Sequence, residues 1–270
     1  MTVMTRNHTE STTAPAVTIS EVSKAYGAGR GALLALDHIS LTVPRGEFVS
    51  ILGASGCGKS TLLSVIAGLD RPTLGSVDVG GARVGLMFQE PALFPWLTVN
   101  GNVELALRTR GRAEGAHKNR RGARAERRTR TASLLDVVHL GGFGKKRPHE
   151  LSGGMRQRVA IARALAQDSD VLLMDEPFGA LDAMTRDLLH DELERIWSER
   201  SLTILFVTHN VREAVRLGDR VVLLSSRPGK VVEEFPVPFE RPRRIDSGEV
   251  AGLAAKITDR LREEVGRHGA

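Results

Sequence analysis

The feature that most constrains this chain is the nine-residue segment GASGCGKST at residues 53–61. The apolar run FVSIL at 48–52 precedes it and is typical of a buried strand, and residues 61–67 can open a helix. Glycines allow backbone conformations that other residues avoid, so the loop can close around an anion with its N–H groups pointing inward. A glycine-rich turn with a chance lysine is the alternative, but the flanking strand and helix favour a loop that cradles nucleotide phosphates.

The chemistry of the side chains predicts individual roles within this loop. Lys59 is expected to reach the β- and γ-phosphates, and the Ser60 hydroxyl is expected to ligate Mg²⁺. Cys57 fills a variable position, so we assign its thiol no chemistry but count the residue among the nucleotide contacts. The other residues predicted to bind the nucleotide are Gly53, Ser55, Gly56, Gly58 and Thr61.

The composition limits the class of protein. The chain has 270 residues, 41% hydrophobic and 26% charged, as expected for one globular domain that can carry a subdomain. No apolar run approaches the ~18 residues needed to span a bilayer, and the polar residues 1–15 lack the core of a signal peptide. Cys57 is the only cysteine, so no intrachain disulfide can form. We therefore expect a protein that is not exported.

Positive charge is concentrated in one stretch of the chain. The net charge is +6, and ten arginines and lysines lie between residues 108 and 130. Charge runs of this kind are usually solvated, so we predict an exposed loop that becomes weakly helical from about Arg124. A nucleic-acid contact is the alternative, but no aromatic residues are interleaved with the arginines, as single-strand binding would favour.

Polar residues follow two apolar segments that are typical of buried strands. Asp175 and Glu176 come directly after the run at 171–174, and His209 follows the run at 202–207. The aspartate can hold Mg²⁺, and the glutamate can accept a proton from an attacking water. His209 can contact a γ-phosphate, because ligands sit at the carboxyl ends of parallel strands. An acidic pair that caps a strand and a structural histidine are the alternatives.

A second helix start lies far downstream of the first. Ser152 is a good N-cap, and Gly153 and Gly154 permit close approach of another backbone or of a ligand. The apolar residues that continue to Leu165 have helical spacing. The segment therefore predicts a second anion-binding helix N-terminus.

Taken in order, these motifs closely resemble those of the ATP-binding subunits of ABC transporters. Residues 53–61 are similar to Walker A, 151–157 to the signature motif, and 171–176 to Walker B with its catalytic glutamate. Further matches are Gln89 with the Q-loop, 180–182 with the D-loop, and His209 with the switch histidine. The resemblance covers roughly residues 17–235.

The resemblance implies an α/β fold with a P-loop ABC-type ATPase core, in which a mixed sheet is flanked by helices and an antiparallel β part. The ATPase domain would span 17–240, with a helical subdomain inserted at about 91–168. Residues 1–16 are predicted to be a disordered tail. Residues 241–270 are predicted to form a C-terminal tail with an amphipathic helix, because apolar residues recur there at helical spacing.

The resemblance also implies roles for individual residues. ATP and Mg²⁺ would be the cofactors, and Glu176, His209 and Gln89 would act in catalysis. Ser60, Gln89 and Asp175 would contact the metal ion. Tyr26 would stack on the adenine ring, and Ser152, Gly153, Gly154 and Asp182 would contribute to nucleotide binding.

Partners are implied in the same way. The family works as a dimer of ATPase subunits, in which each ATP lies between one chain's Walker loop and its partner's signature loop. Integral-membrane permease subunits would bind this dimer at the cytoplasmic face of the cell membrane, and a solute-binding protein would act indirectly. No nucleic-acid partner is expected.

Three segments are similar to those of nitrate, sulfonate and taurine importers, namely 88–99, 175–182 and 226–230. Within this group we favour an aliphatic sulfonate, and an importer of another small molecule, such as a pyrimidine precursor, is the alternative. A soluble ABC ATPase that acts on nucleic acid or ribosomes is a further alternative, which the absence of a long coiled coil or tandem cassettes disfavours. Phe94 and Trp96 would either line a cleft for the permease or fill the core of the helical subdomain.

Overall fold

The structure is a computed structural model, which describes residues 14–27, 29–113 and 120–268. Its strands are β1 (Val17–Tyr26), β2 (Leu33–Val43), β3 (Phe48–Leu52), β4 (Leu74–Asp78), β5 (Val84–Met87), β6 (Val171–Asp175), β7 (Thr203–Val207), β8 (Arg220–Leu224) and β9 (Val231–Pro236). Its helices are α1 (Lys59–Ile66), α2 (Val99–Ala113), α3 (Arg120–Val137), α4 (Gly153–Ala166), α5 (Ala183–Arg200), α6 (Val211–Leu217) and α7 (Gly248–His268).

A six-stranded sheet with the order β5-β6-β7-β3-β8-β9 forms the centre of the molecule. Every residue of β3, β6 and β7 is buried, as their continuous apolar sequences predict for strands covered on both faces. The strands from β5 to β8 pair in parallel, and β9 pairs antiparallel to β8 at one edge. The carboxyl ends of β6, β7 and β3 therefore lie side by side.

A second, antiparallel sheet has the order β2-β1-β4. Its inner face, which includes Val17, Ile19 and Leu41, belongs to the same apolar cluster as residues of α1 and β3. The sheet is also joined to the loop between β8 and β9, because Leu36 forms an isolated parallel bridge with Gly229. The mixed sheet, its flanking helices and this antiparallel part confirm the predicted fold class.

Helices α2, α3 and α4 are inserted between β5 and β6. They pack through apolar side chains that include Val103, Leu135 and Val159, each of them at most 1% exposed. This arrangement agrees with the predicted helical subdomain. Its predicted limits, like those of the ATPase domain, remain predictions.

The stretch 108–130 is more helical than predicted, since an exposed loop was expected in its middle and only weak helix from about Arg124. Helix α2 continues to Ala113 and α3 begins at Arg120, so only residues 114–119 lie outside the described part of this stretch. Arginine and alanine are good helix formers, and the buried face of α3 anchors its basic residues in the helix. Charge alone was the wrong signal, because a solvated run can also be one face of a helix.

The predicted amphipathic helix is present as α7, which packs Val250, Ala254 and Ile257 into an apolar cluster with residues of α6 and β8. The predicted disordered tail ends earlier than expected. Ala16 is 1% exposed and its N–H donates to the carbonyl of Val43 at 2.8 Å. Residues 1–13 of that tail lie outside the described residues.

The segment before α7 is fastened to the core by Arg243, which is 6% exposed. Its guanidinium group donates hydrogen bonds to backbone carbonyls at the end of α6 and in the segment after β9, namely those of Val215, Arg216, Gly218, Val237 and Phe239. Burial lowers the pKa of Arg243 to about 10, and the neighbouring Arg241 adds to this effect. The side chain is still a cation at neutral pH and satisfies carbonyl groups that would otherwise be unpaired.

Across 14–27, 29–113 and 120–268, none of the helices combines the length and the apolar character that a membrane span requires.

Candidate functional site

Three of the predicted site segments lie at one edge of the large sheet. Residues 53–61 follow β3, Asp175 ends β6, and His209 comes shortly after β7. Because β7 pairs with both β6 and β3, the three strands bring these segments together. The edge is the one at which parallel sheets bind ligands.

The loop at 53–61 has the backbone that its glycines predict. Gly56 and Gly58 have φ values of 73° and 105°, which are in the left-handed region that favours glycine. Lys59 is 7% exposed, and its ammonium group donates to the carbonyls of Gly53 and Ala54 at 2.9 and 2.8 Å. A buried cation therefore lies at the centre of the loop, at the start of α1.

The outer side of the loop is covered by two segments whose contact with it the sequence analysis did not predict. A Cβ atom on Gly58 would lie 2.7 Å from the carbonyl oxygen of Ala35 in β2. A Cβ atom on Gly229, in the loop 225–230 between β8 and β9, would lie 2.3 Å from the carbonyl oxygen of Cys57. Close backbone packing on both sides thus holds the loop in shape before any ligand is bound.

Arg227 belongs to the same covering loop and contacts the site directly. Its Nε donates to the carbonyl oxygen of Gly56 at 3.0 Å. The sequence signal for this contact was present in the Arg-Pro-Gly segment at 227–229, but a turn sequence does not reveal what the turn packs against.

Asp175 and Ser60 form the predicted metal-binding part of the site. Asp175 is 7% exposed, and the Ser60 side chain is close enough to influence its carboxyl group. Burial raises the pKa of the Asp175 carboxyl, and the Ser60 hydroxyl opposes this rise. A hydroxyl and a carboxylate oxygen are ligands that suit Mg²⁺, which commonly keeps several waters and needs few protein ligands. The residues present therefore fit this ion, although the described residues include no group of three His, Cys, Asp or Glu side chains that could hold a metal.

The three predicted catalytic residues contact one another through Glu176. His209 Nδ1 lies 3.0 Å from Glu176 Oε2, and Gln89 Nε2 donates to the same oxygen at 3.4 Å. Glu176 has a φ of 44°, which is uncommon for a residue other than glycine. Local strain of this kind is often found at functional sites. Gln157, which the sequence analysis did not single out, donates to the backbone carbonyl of Glu176 at 3.5 Å.

Ser152 caps α4 as predicted, since its hydroxyl accepts a hydrogen bond from Met155 N at 3.2 Å. Gly154 lies close to the segment 180–182, because a Cβ atom there would be 3.2 Å from the carbonyl oxygen of Ala180. Asp182 caps α5 by accepting from Thr185 N at 3.0 Å, and the pKa of its carboxyl is lowered by this bond. Among the described residues, no hydrogen bond or ion pair joins the segments 152–154 and 53–61 within one chain.

Tyr26 ends β1 with 41% of its surface exposed. Its hydroxyl donates to Asp70 at 2.9 Å, and the Lys24 ammonium group lies 4.9 Å from the centre of its ring. These contacts hold the ring at the surface. Stacking on adenine remains a prediction.

The comparisons with known proteins agree with this geometry. The family model described as ABC transporter matches residues 36–179, which include the loop at 53–61 and the Asp175–Glu176 pair. The chain belongs to the ABC transporter family. It is an ATPase of that family, an ATP-binding cassette with the fold and the motif order that the sequence predicted.

Two relatives and one solved structure illustrate the similarity. The cassette is 42% identical over 240 residues to an aliphatic sulfonates import ATP-binding protein of Bacillus cereus, with 86% of this chain and 90% of the relative covered. It is 46% identical over 226 residues to a nitrate import ATP-binding protein of Synechocystis, with 81% of each covered. It also resembles a dimeric ATP-binding cassette in a post-hydrolysis state bound to ADP and Pi, with a TM-score of 0.74 and 36% identity, covering 83% of this chain and 100% of that one.

The close packing of Gly229 against the phosphate loop yields a prediction. We expect Gly229→Ala to weaken ATP binding about tenfold. The added methyl group must displace the backbone of the phosphate loop, and overpacking of this kind typically costs about 1–3 kcal/mol of free energy. Binding of a fluorescent ATP analogue by the purified cassette measures the effect. Gly142→Ala is the matched control, since a Cβ atom there meets nothing within 4 Å. Equal affinities for the two variants would contradict the prediction.

Proposed function

We propose that this cassette is the ATP-hydrolysing subunit of an importer and that Glu176 activates the attacking water. The observation that carries the proposal is the contact of His209 and Gln89 with one carboxylate oxygen of Glu176, beside the phosphate loop. A carboxylate held by two polar side chains is suited to orient a water and to accept its proton.

The residues of the cassette suggest how hydrolysis proceeds. The N–H groups of 53–61 and the ammonium group of Lys59 hold the β- and γ-phosphates. A water oxygen attacks the γ-phosphorus, its proton passes to Glu176, and the bond to the β,γ-bridging oxygen breaks. His209 has 67% of its side chain exposed and can contact the γ-phosphate through its second ring nitrogen.

Mg²⁺ is the second proposed cofactor. Ser60 and Asp175 would hold it, directly or through water, with Gln89 near by. When bound, it neutralises charge on the phosphate oxygens. Because burial raises the pKa of Asp175, the adjacent cation would also favour the ionised form of that carboxylate.

We further propose that two copies form a dimer around ATP. Ser152 and Gly153 begin α4, where the first N–H groups of a helix have no partner within the helix, yet no described bond brings them to the phosphate loop of their own chain. A second copy can supply them across the interface. The dimeric state of the similar cassette supports this arrangement.

The partner of this dimer would be a permease at the cytoplasmic face of the membrane, with a solute-binding protein acting indirectly. Trp96 is 68% exposed, and its ring centre lies 5.5 Å from that of Phe94. Phe94 is half-buried, but the exposed indole of Trp96 is unfavourable in water and favours the docking alternative over the core-filling one. By analogy with the relatives, the transported solute would be a small anion such as an aliphatic sulfonate, taurine or nitrate.

The catalytic assignment is tested with Glu176→Gln. We expect this variant to bind ATP normally and to lose ~10²–10⁴-fold in turnover, because the amide cannot accept the proton. ATPase assays and ATP binding are measured together, with the exposed Glu249→Gln as the control for charge removal. Turnover close to that of the unmodified cassette would remove Glu176 from this role.

The shared site is tested by mixing two inactive variants. A heterodimer of a Lys59→Ala chain and a Ser152→Ala chain has one site with both defects and one site with neither. We expect ATPase activity in the mixture above that of either variant alone. Each variant is also assayed with the unmodified chain. Heterodimers are verified by two affinity tags. If they show no more ATPase activity than either variant alone, the proposal that each site is shared between chains and works singly is contradicted.

The docking surface is tested with Trp96→Ala. We expect an unchanged thermal melt of the isolated cassette but weaker co-purification with the permease, since interface aromatics often contribute ~2 kcal/mol or more. Val265→Ala, at an apolar residue 47% exposed on α7, serves as the control. An earlier melt would instead show that Trp96 supports the fold, and full co-purification would show that it is not a docking residue.

A further inference from the structure

A buried histidine that belongs to none of the recognised motifs lies behind the catalytic residues. His190 is in α5, is 0% exposed and has a ring nitrogen 2.9 Å from a carboxylate oxygen of Glu213. Glu213 is itself 4% exposed and accepts a second hydrogen bond from the Thr208 hydroxyl through its other oxygen. Three polar side chains from α5, α6 and the end of β7 thus form one buried chain of hydrogen bonds.

This chain ends beside His209. Thr208 directly precedes His209, and its hydroxyl oxygen accepts from the backbone N–H of Asn210 at 3.0 Å. Thr208 N in turn donates to the carbonyl of Ile51 in β3 at 3.3 Å. The backbone on both sides of His209 is therefore held by a hydroxyl group whose own direction is set by Glu213.

The opposite face of His190 contacts the segment that carries Glu176. Its ring packs edge-on against Phe178 with centres 4.7 Å apart and an interplanar angle of 76°. Phe178 is 1% exposed and lies two residues after Glu176, so it fixes the turn in which Glu176 adopts its positive φ. One imidazole ring thus contacts the supports of both members of the Glu176–His209 pair.

Stability alone does not account for this polar arrangement. Buried polar and ionic groups can often be replaced by apolar residues of similar size with no loss of stability. Here His190 Nδ1 even lacks a hydrogen-bond partner, and the nearest carboxylate to it, that of Asp187, is 3.9 Å away. Apolar side chains in place of both His190 and Glu213 could fill the same volume without that unsatisfied nitrogen, but they could not hold the Thr208 hydroxyl.

We propose that His190 is a positioning residue for ATP hydrolysis, which acts through Glu213 and Thr208 on His209 and through Phe178 on Glu176. The inference rests on the proposed roles of Glu176 and His209. Since His190 does not contact the phosphate loop, its removal should impair the chemical step and leave ATP binding intact. A small misplacement of a catalytic group can lower a rate about 100-fold.

The test compares His190→Leu with His190→Gln. The glutamine amide can still donate to Glu213, whereas leucine retains volume but no donor. We expect kcat to fall about 10- to 100-fold in His190→Leu, with KM for ATP within about twofold of the unmodified value. His190→Gln should recover most of the loss. Leu193→Val, a buried change on the same helix outside the hydrogen-bonded chain, controls for destabilisation.

Thr208→Val supplies a second measurement, because it removes the hydroxyl while it keeps the shape of the side chain. We expect Thr208→Val to lower kcat in the same way as His190→Leu. This variant also tests the inference if His190→Leu fails to fold. In the Glu176→Gln background, His190→Leu should cause little further loss, since both changes act on one step. The inference would be overturned if kcat were unchanged in a folded His190→Leu variant or in Thr208→Val. It would also be overturned if His190→Leu and His190→Gln lost the same amount of activity. Near-normal turnover in Glu176→Gln would instead count against the proposed catalytic role itself.

Discussion

Hydrogen bonding between three buried parallel strands is the interaction on which the rest of this structure depends. Strands β6, β7 and β3 pair in register, so the segments that follow them must meet at one edge of the sheet. The phosphate loop, the Asp175–Glu176 pair and His209 are far apart in the sequence, and no local contact could bring them together. The pairing of the strands thus sets the distances between these segments, and the loops determine only how the side chains are oriented.

The phosphate loop also depends on elements that contribute no residue predicted to bind the phosphates. Strand β2 and the loop 225–230 cover its outer side, with contacts close enough to exclude a side chain at Gly58 or Gly229. Asp37 N donates to the carbonyl of Gly229 at 3.0 Å, which joins the two covering segments to each other. The antiparallel sheet therefore supports the outer side of the phosphate loop and also contains Tyr26.

Local patterns in the sequence were enough to predict much of this arrangement. Continuous apolar runs identified β3, β6 and β7, and a serine followed by two glycines identified the start of α4. The extent of helix within 108–130 was underestimated, because a run of arginines carries no information about the apolar face that anchors it. The contacts of Arg227 and of His190 could not be predicted either, since each joins residues far apart in sequence. Periodicity describes one element at a time, whereas such contacts arise only when the elements pack together.

The guanidinium group of Arg243 determines where this chain can be shortened or fused to another protein. Five backbone carbonyls turn toward it, and three of them, from Val215 to Gly218, belong to the end of α6. A truncation before Arg243 would leave these carbonyls without a donor in the interior, at a cost of about 1–3 kcal/mol for each buried group that stays unpaired. A tag or a fusion partner is better attached after α7, where the cation and its carbonyls stay intact. The folding unit therefore extends beyond β9, the last strand of the sheet, and includes the segment that contains Arg243.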